Sequence, residues 1–380
     1  MNPRLNLRKE LLIVFSLLFS PFYLQFMKIL FAPYNIASMP AITAKALNQL
    51  GHDAVCIDFA KHPYKESNQF VIDIDCDQSS KNVLKIVYYK LKFLFVLIKL
   101  LLWCDVVHWT WRSILPFGFD LYLVKWFGKP RFIEWVGSDI RIPEVTKIES
   151  PWYWEAYNNG YEYKHIESYQ QSKSTQNIFS KLGFVPILTP EMQLFVLPDL
   201  FPVIHPIFYR CFEKEKYLIS ENKPFGSTKI RILHSPSAKF AKGSNYILPV
   251  IDELSKLYQI EFVIQNKVPR YEVLMAMQNC DIYIDQIVLG SYASAAIEAM
   301  AFSKPVIAYI MPRVFEKGIP IDCPIINANP YCLKAKLIEL IEKKELRERI
   351  GNEGRIYVEK YHDALIESQK LLNIYNNSLS

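Results

Sequence analysis

Short apolar runs recur along this chain at a spacing that demands parallel strands joined by crossover helices. In the first half "KILFAPY", "AVCIDFA", "DVVHWTW", "RFIEWVG" and "FVPILTP" are separated by longer segments, several ending in a glycine turn such as "LNQLGHD", "KWFGKPR" or "SKLGFV". Residues 205–228, "HPIFYRCFEKEKYLISENKPFGST", break the alternation with charge and turn residues and read as a domain junction. Beyond it the pattern restarts with "KIRILHS", a helix from about Ser244 to Tyr258, "IEFVIQ", a helix from Arg270, "DIYIDQI", a helix carrying Glu298, and "KPVIAYI". These are three βαβ units in succession. The prediction is an α/β chain: two doubly wound parallel-sheet, Rossmann-like domains facing each other across a cleft. The boundaries fall at 27–208 and 209–354, with the helical segment 355–380 packing back on the first domain.

A chain of 380 residues suits two such domains, and 51% hydrophobic residues with only 12 glycines supply well-filled cores. The seven cysteines are scattered and contain no CxxC, so neither a disulfide framework nor a zinc knuckle is indicated and a cytoplasmic setting is expected. The net charge of +6 and the spread of lysines suit an anionic partner. No zinc-finger spacing, RNP-like motif or basic tail points to nucleic acid. A membrane surface, at its inner face, fits better. Residues 1–26 form an apolar extension, interfacial or not native, because its apolar run is broken by Pro21 and is shorter than the roughly 20 residues a span needs; Met27 opens the first strand. In residues 81–103, "KNVLKIVYYKLKFLFVLIKLLLW", Lys81, Lys85, Lys92 and Lys99 fall on one helical stripe. Two readings stay open there: peripheral contact with an anionic membrane, or a domain helix with a solvated lysine face.

The first strand is followed by "APYNIASMP", which lacks a glycine-rich phosphate turn, and no GxxxxGK[ST] occurs, so dehydrogenases and P-loop kinases are disfavoured. In the second half "HSPSAKFAKGS" offers small residues with Lys239 and Lys242 three apart, a place for a diphosphate beside a helix N-terminus. In "GSYASAAIEAMAFSKPVIAYI", Ser291, Ser294 and Glu298 share a helical stripe. Phosphate would sit on the first-turn amides and serine hydroxyls, with Glu298 one turn further in to accept hydrogen bonds from a ribose diol.

Together these two segments resemble the nucleotide-sugar half of the retaining glycosyltransferases of GT-B fold, group 1 (family 4-like), whose pattern is a small-residue loop, EAMA, a small turn and PVI. "VGSDIR" at 136–141 resembles the HGSD loop that these enzymes carry in the acceptor half. The resemblance implies a donor site made of His234, Ser235, Lys239, Lys242, Gly243, Gln265, Gly290, Ser291, Tyr292, Ala293, Ser294 and Glu298. On the acceptor side it implies Gly137, Ser138, Asp139 and Arg141. The catalytic set would be Lys239, Lys242, Glu298 and Asp139, with the two lysines neutralising the diphosphate in place of a metal, and no cofactor. Two departures matter: the first acid of the E-x7-E pair falls on Gly290, and the histidine of HGSD is Val136. Either Asp285 or Asp139 compensates, or the donor sugar is read differently.

Other candidates carry less. "DIDCD" places Asp73, Asp75 and Asp77 on one face of an extended segment, read as a solvated strand end rather than a metal site. His108 is read as a strand-end residue facing the cleft, the tryptophans as core, and "WYWEAYNNGYEYKH" as an acceptor loop. The expected activity is transfer of a sugar from a UDP- or GDP-linked donor to a glycan or lipid-linked acceptor, with retention, in surface polysaccharide or glycolipid synthesis. The alternatives are a nucleotide-sugar epimerase of the same fold and a non-catalytic carbohydrate-binding or assembly subunit.

Overall fold

The computed structural model describes residues 26–61, 68–217 and 229–379; residues 1–25 of the expected extension and 218–228 of the expected junction lie outside them. The first domain is built on seven strands: β1 (Lys28–Ala32), β2 (Asp53–Ala60), β3 (Val71–Cys76), β4 (Val106–Thr110), β5 (Arg131–Glu134), β6 (Val185–Leu188) and β7 (His205–Pro206). Their order is β3-β2-β1-β4-β5-β6-β7, and every pairing is parallel. The second domain has β8 (Ile230–His234), β9 (Ile260–Ile264), β10 (Ile282–Ile284), β11 (Val306–Ala308) and β12 (Ile326–Asn327), ordered β12-β11-β10-β8-β9 and again all parallel. The predicted architecture is therefore the observed one. Helices cover both faces, which is why the central strands read as unbroken apolar runs; all of β4 is buried. The order reverses between β1 and β4 and between β8 and β10, so each sheet opens a crevice at its carboxyl edge.

Two strands escaped the sequence pattern, β7 and β12, each two residues long; the edge strand β3 carries Asp73 and Asp75 of "DIDCD", the segment read as extended. Among the described residues no group of three His, Cys, Asp or Glu side chains is placed to hold a metal ion.

Two segments cross between the domains. Trp152, Tyr153 and Ala156, on the helix Pro151–Asn158 that precedes β6, pack into the core of the second domain, and the Ser150 hydroxyl donates to the Val288 carbonyl at 2.6 Å. In return the helix Ala364–Leu379 buries Leu371, Leu372 and Tyr375 against Ile29 and Phe31 of β1. The Tyr375 hydroxyl lies 2.6 Å from His108 Nδ1, whose Nε2 is 3.0 Å from Glu134 Oε2. The same oxygen takes Arg210 Nη2 at 2.5 Å, and Arg210 Nε donates to Thr43. His108 is thus a fully buried member of an ionic network under the sheet edge and does not face the cleft, a correction to the sequence reading. Burial, the largest single influence, would raise the Glu134 carboxyl, but the charges and hydrogen bonds of Arg210 and His108 together outweigh it and hold the group at about 2. Trp109 and Trp135 are fully buried, as expected of core aromatics, whereas Trp111 is only partly buried at the cleft and Trp154 is 37% exposed, a correction to that reading.

Candidate active site

A cavity of about 490 Å³ lies between the domains, walled by the loops at the carboxyl ends of the strands. The first domain contributes Tyr34 to Ser38 after β1, Asp58 of β2, Gln78, Trp111, Val136, Gly137, Ser138 and Arg141 of the turn after β5, and Glu191; the second contributes Ala238, Ala241, Lys242, Gln286, Leu289 and Ala293. This is where the switch in strand order places a ligand crevice.

On the donor wall, Lys242 closes the one-turn helix Lys239–Lys242. Gly243 follows at φ +82°, and a Cβ there would stand 2.6 Å from Ile287 and 2.8 Å from Val288, so only glycine lets this turn lie on the end of β10. That approach delivers the Lys242 ammonium to Asp285 Oδ1 at 3.1 Å and Gln286 Oε1 at 2.7 Å. Asp285 Oδ2 accepts the Ala293 amide hydrogen at 3.2 Å, just ahead of the helix Ser294–Ala301, and Gln286 donates to the Ser291 carbonyl. The first-turn amides of Ser294 and Ala295 have no intrahelical acceptor, and Ala293 just ahead of them lines the cavity. Lys239 is exposed and lies off the cavity wall, so the charge that reaches the site is that of Lys242.

Glu298 is 8% exposed, away from bulk solvent. Its Oε1 is engaged by Arg270 Nη2 and lies 3.4 Å from the Tyr217 hydroxyl, so a ribose would share this carboxylate with Arg270. The structure revises several side-chain roles drawn from the resemblance. The His234 ring is committed at both nitrogens, to the Ile284 carbonyl and to Ser244 Oγ at 2.9 Å each, and burial lowers it to about 4, a neutral structural imidazole. Ser235 Oγ meets the Tyr283 hydroxyl at 2.7 Å. Gln265 lines a separate hollow with Arg231 and Leu233. The Tyr292 hydroxyl points away from the cleft to Tyr357 and His362, at 3.0 and 3.1 Å. Gly290, at φ +85°, has no room for a side chain: a Cβ would meet Met311 Cγ at 2.5 Å.

On the facing wall, Gly137, Ser138 and Arg141 line the cavity as expected of an acceptor loop, but Asp139 does not. Its carboxylate accepts the amide hydrogens of Val136, Gly137 and Ile140 at 3.1, 2.9 and 3.2 Å, which organises the turn. Burial raises it to about 6 against the pull of these bonds. Asp139 is therefore a turn organiser rather than a group aimed at substrate. Arg141 bridges Glu167 Oε1 at 2.9 Å and Glu191 Oε1 at 2.6 Å. Glu191, Asp58 and Gln286 went unnoticed in the sequence; Gln286 had a signal, since it ends a strand where α/β sheets bind ligands. Glu162 was missed as well. It belongs to the aromatic segment read as an acceptor loop, yet its two oxygens accept the amides of Phe240 and Ala241, at 3.0 Å each, on the lysine turn of the other domain.

Two facing parallel-sheet domains with a ligand crevice between their carboxyl edges define the GT-B fold, the architecture of nucleotide-sugar glycosyltransferases. Solved structures of that class superpose over nearly the whole chain. Sucrose-phosphate synthase from Thermosynechococcus elongatus is 12% identical with a TM-score of 0.61, covering 93% of this chain and 99% of its own. A glycosyltransferase from Rickettsia africae ESF-5 is 16% identical with a TM-score of 0.59, covering 94% and 99%. The Anabaena protein HepE, in complex with UDP-glucose, is 13% identical with a TM-score of 0.55, covering 92% and 100%. At these identities the likeness establishes the fold. No family model and no curated protein sequence matches the chain.

Proposed function

We propose that this protein is a glycosyltransferase moving a sugar from a UDP- or GDP-linked donor to a glycan or lipid-linked acceptor, with retention and without a metal. The observation that carries the reading is the Lys242 ammonium on the cavity wall, with Ala293 lining the same cavity just ahead of the first-turn amides of the helix Ser294–Ala301. As the bond from the anomeric carbon to the diphosphate oxygen breaks, the electron pair stays on that oxygen, where Lys242 and the amides would stabilise it. The acceptor hydroxyl adds to the anomeric carbon on the same face and passes its proton to the departing diphosphate, so no dedicated base is needed. Closure of the two domains limits loss of donor to water. HepE holds UDP-glucose in a structure of this fold, which supports a nucleotide-sugar donor here. The lysine-rich helix would bring the enzyme to a lipid-linked acceptor at a membrane surface, in surface polysaccharide or glycolipid synthesis.

A melting-temperature screen against UDP, GDP and their sugars tests the donor, since a ligand of the folded state alone raises the transition. A rise with a nucleoside diphosphate and acceptor-dependent release of it are expected. Glu298→Ala should weaken UDP while leaving inorganic pyrophosphate unchanged; equal weakening of both would remove the ribose assignment. The crowding of Gly290 by Met311 favours a second reading, a binding subunit without turnover. Such a subunit would bind the donor and leave it intact.

A further inference from the structure

We propose that the outer face of the helix Val83–Trp103, continued by the helix Phe119–Trp126, docks this protein on an anionic lipid bilayer, lying in the headgroup layer without crossing it. The inference deepens the lipid-linked-acceptor part of the reading above, and it stands on atoms outside the cleft.

The longer helix has 21 residues and two apolar stripes, where a domain helix needs one. Its inner stripe, Phe93, Leu97 and Leu101, is fully buried in the first domain. Its outer stripe runs Leu84, Tyr88, Leu91, Phe95, Ile98 and Leu102, alternating steps of four and three, with Leu84 81%, Phe95 73% and Leu102 72% exposed. Lys85, Lys92 and Lys99 stand exposed along one flank of that stripe, and no acid occurs between Asp77 and Asp105.

The second helix is in contact with the first and extends the surface. Phe119, Tyr122 and Trp126 share its outer face, Trp126 being 82% exposed, and Phe117 just before it is 96% exposed. Aromatic rings of this kind suit the boundary between water and acyl chains. Beside Tyr122 a hollow of about 460 Å³ is lined by Lys173 and Lys181, which gives a headgroup phosphate both room and charge. Among the described residues no helix is long and apolar enough to cross a membrane, so the surface lies on the bilayer.

Steps of four and three would also suit a second copy of the chain. A helix seam between copies is normally bordered by charges of both signs; here the border carries lysines and no acid. An anionic surface turns the same lysines into attraction, worth about 1 kcal/mol for each residue near the headgroups. The surface also joins the cleft: Gln78 lines the cavity only five residues before Val83, a reach of at most about 18 Å. A lipid-linked acceptor held by the bilayer would enter from that side.

The test is co-sedimentation of the full chain, without nucleotide, with vesicles of phosphatidylcholine alone or mixed with phosphatidylglycerol, at low and high salt. Expected are binding to the anionic vesicles, weakening with salt, and at least tenfold loss in a Phe95→Asp/Leu102→Asp variant whose melting temperature and UDP response are unchanged. A Lys85→Glu/Lys92→Glu/Lys99→Glu variant should lose anionic selectivity. Absence of vesicle binding, undiminished binding by the Asp variant, or a dimer in light scattering that this variant dissolves would overturn the proposal. Because vesicle binding is read without donor, those results leave the transfer reading untouched, and failure to bind a nucleotide leaves them untouched in turn.

Discussion

Glu162 and Phe240 belong to different domains, and the carboxylate of the first accepts the amide hydrogen of the second at 3.0 Å, with Ala241 bound alike. The protein's own anion thus sits on the turn that carries Lys239 and Lys242.

A diphosphate approaching this turn meets that negative charge. Glu162→Gln removes the charge and keeps an acceptor for one amide. At an interaction of about 1 kcal/mol, UDP should bind roughly fivefold more tightly, while the melting temperature falls by a few degrees as the charge-assisted bonds weaken. Calorimetric titration with UDP reads the first effect; unchanged affinity would place the diphosphate elsewhere.

Lys242→Met should act in the opposite direction. It removes the ammonium proposed to stabilise the leaving group and strands Asp285, which is 2% exposed. A transfer rate lowered at least a hundredfold is expected, together with a stability loss of about 3 kcal/mol from the unpaired buried acid. Adding Asp285→Asn should restore most of the stability and none of the rate. Urea unfolding beside a diphosphate-release assay separates the two.

Gly290→Ala should cost about 2–3 kcal/mol, because the new methyl group meets Met311 and the residue sits at φ +85°. Met311→Ala on top of it should relieve the collision and leave the backbone strain. Urea midpoints of the two variants check this. A glutamate at 290, the acid of the E-x7-E pattern, is expected to unfold the loop rather than to restore a sugar contact.

Acid should destabilise the fold well before carboxylates dominate. Burial lowers His234 and His362 to about 4 and lowers His108 as well. Between pH 6.5 and 4 the unfolded chain therefore takes up protons that the folded chain refuses, and stability is lost as pH falls, by up to about 3 kcal/mol for each fully shifted group. Asp139, held at about 6, works against this over pH 6 to 4, and Glu134, at about 2, adds its loss only below about 4.5. Unfolding free energies at pH 7.5 and 5 should differ by several kcal/mol, and His362→Gln should flatten the slope by about one proton.

Much of this was legible in the sequence because parallel strands buried on both faces advertise themselves as apolar runs, as in "DVVHWTW" and "KPVIAYI". The small residues and lysines of "HSPSAKFAKGS" were legible as a ligand-facing loop, but the approach of Lys242 to Asp285 and Gln286 at the end of β10 was not. What stayed hidden depends on contacts between residues far apart in the chain. Arg270 stands 28 residues from Glu298, and Glu162 stands 78 from Phe240, so neither pairing has a local signature. His234 and Tyr292 were misread for the converse reason: their positions lie beside the crevice, but their side chains turn inward to satisfy buried partners.

Tyr375 on His108 has a consequence for biosynthesis. Strand β1 leaves the ribosome ahead of Leu371, Leu372 and Tyr375, which cover it and are made more than 330 residues later. The first domain must wait, one flank bare, for translation to reach them, so its completion depends on a helix made only after the whole of the second domain.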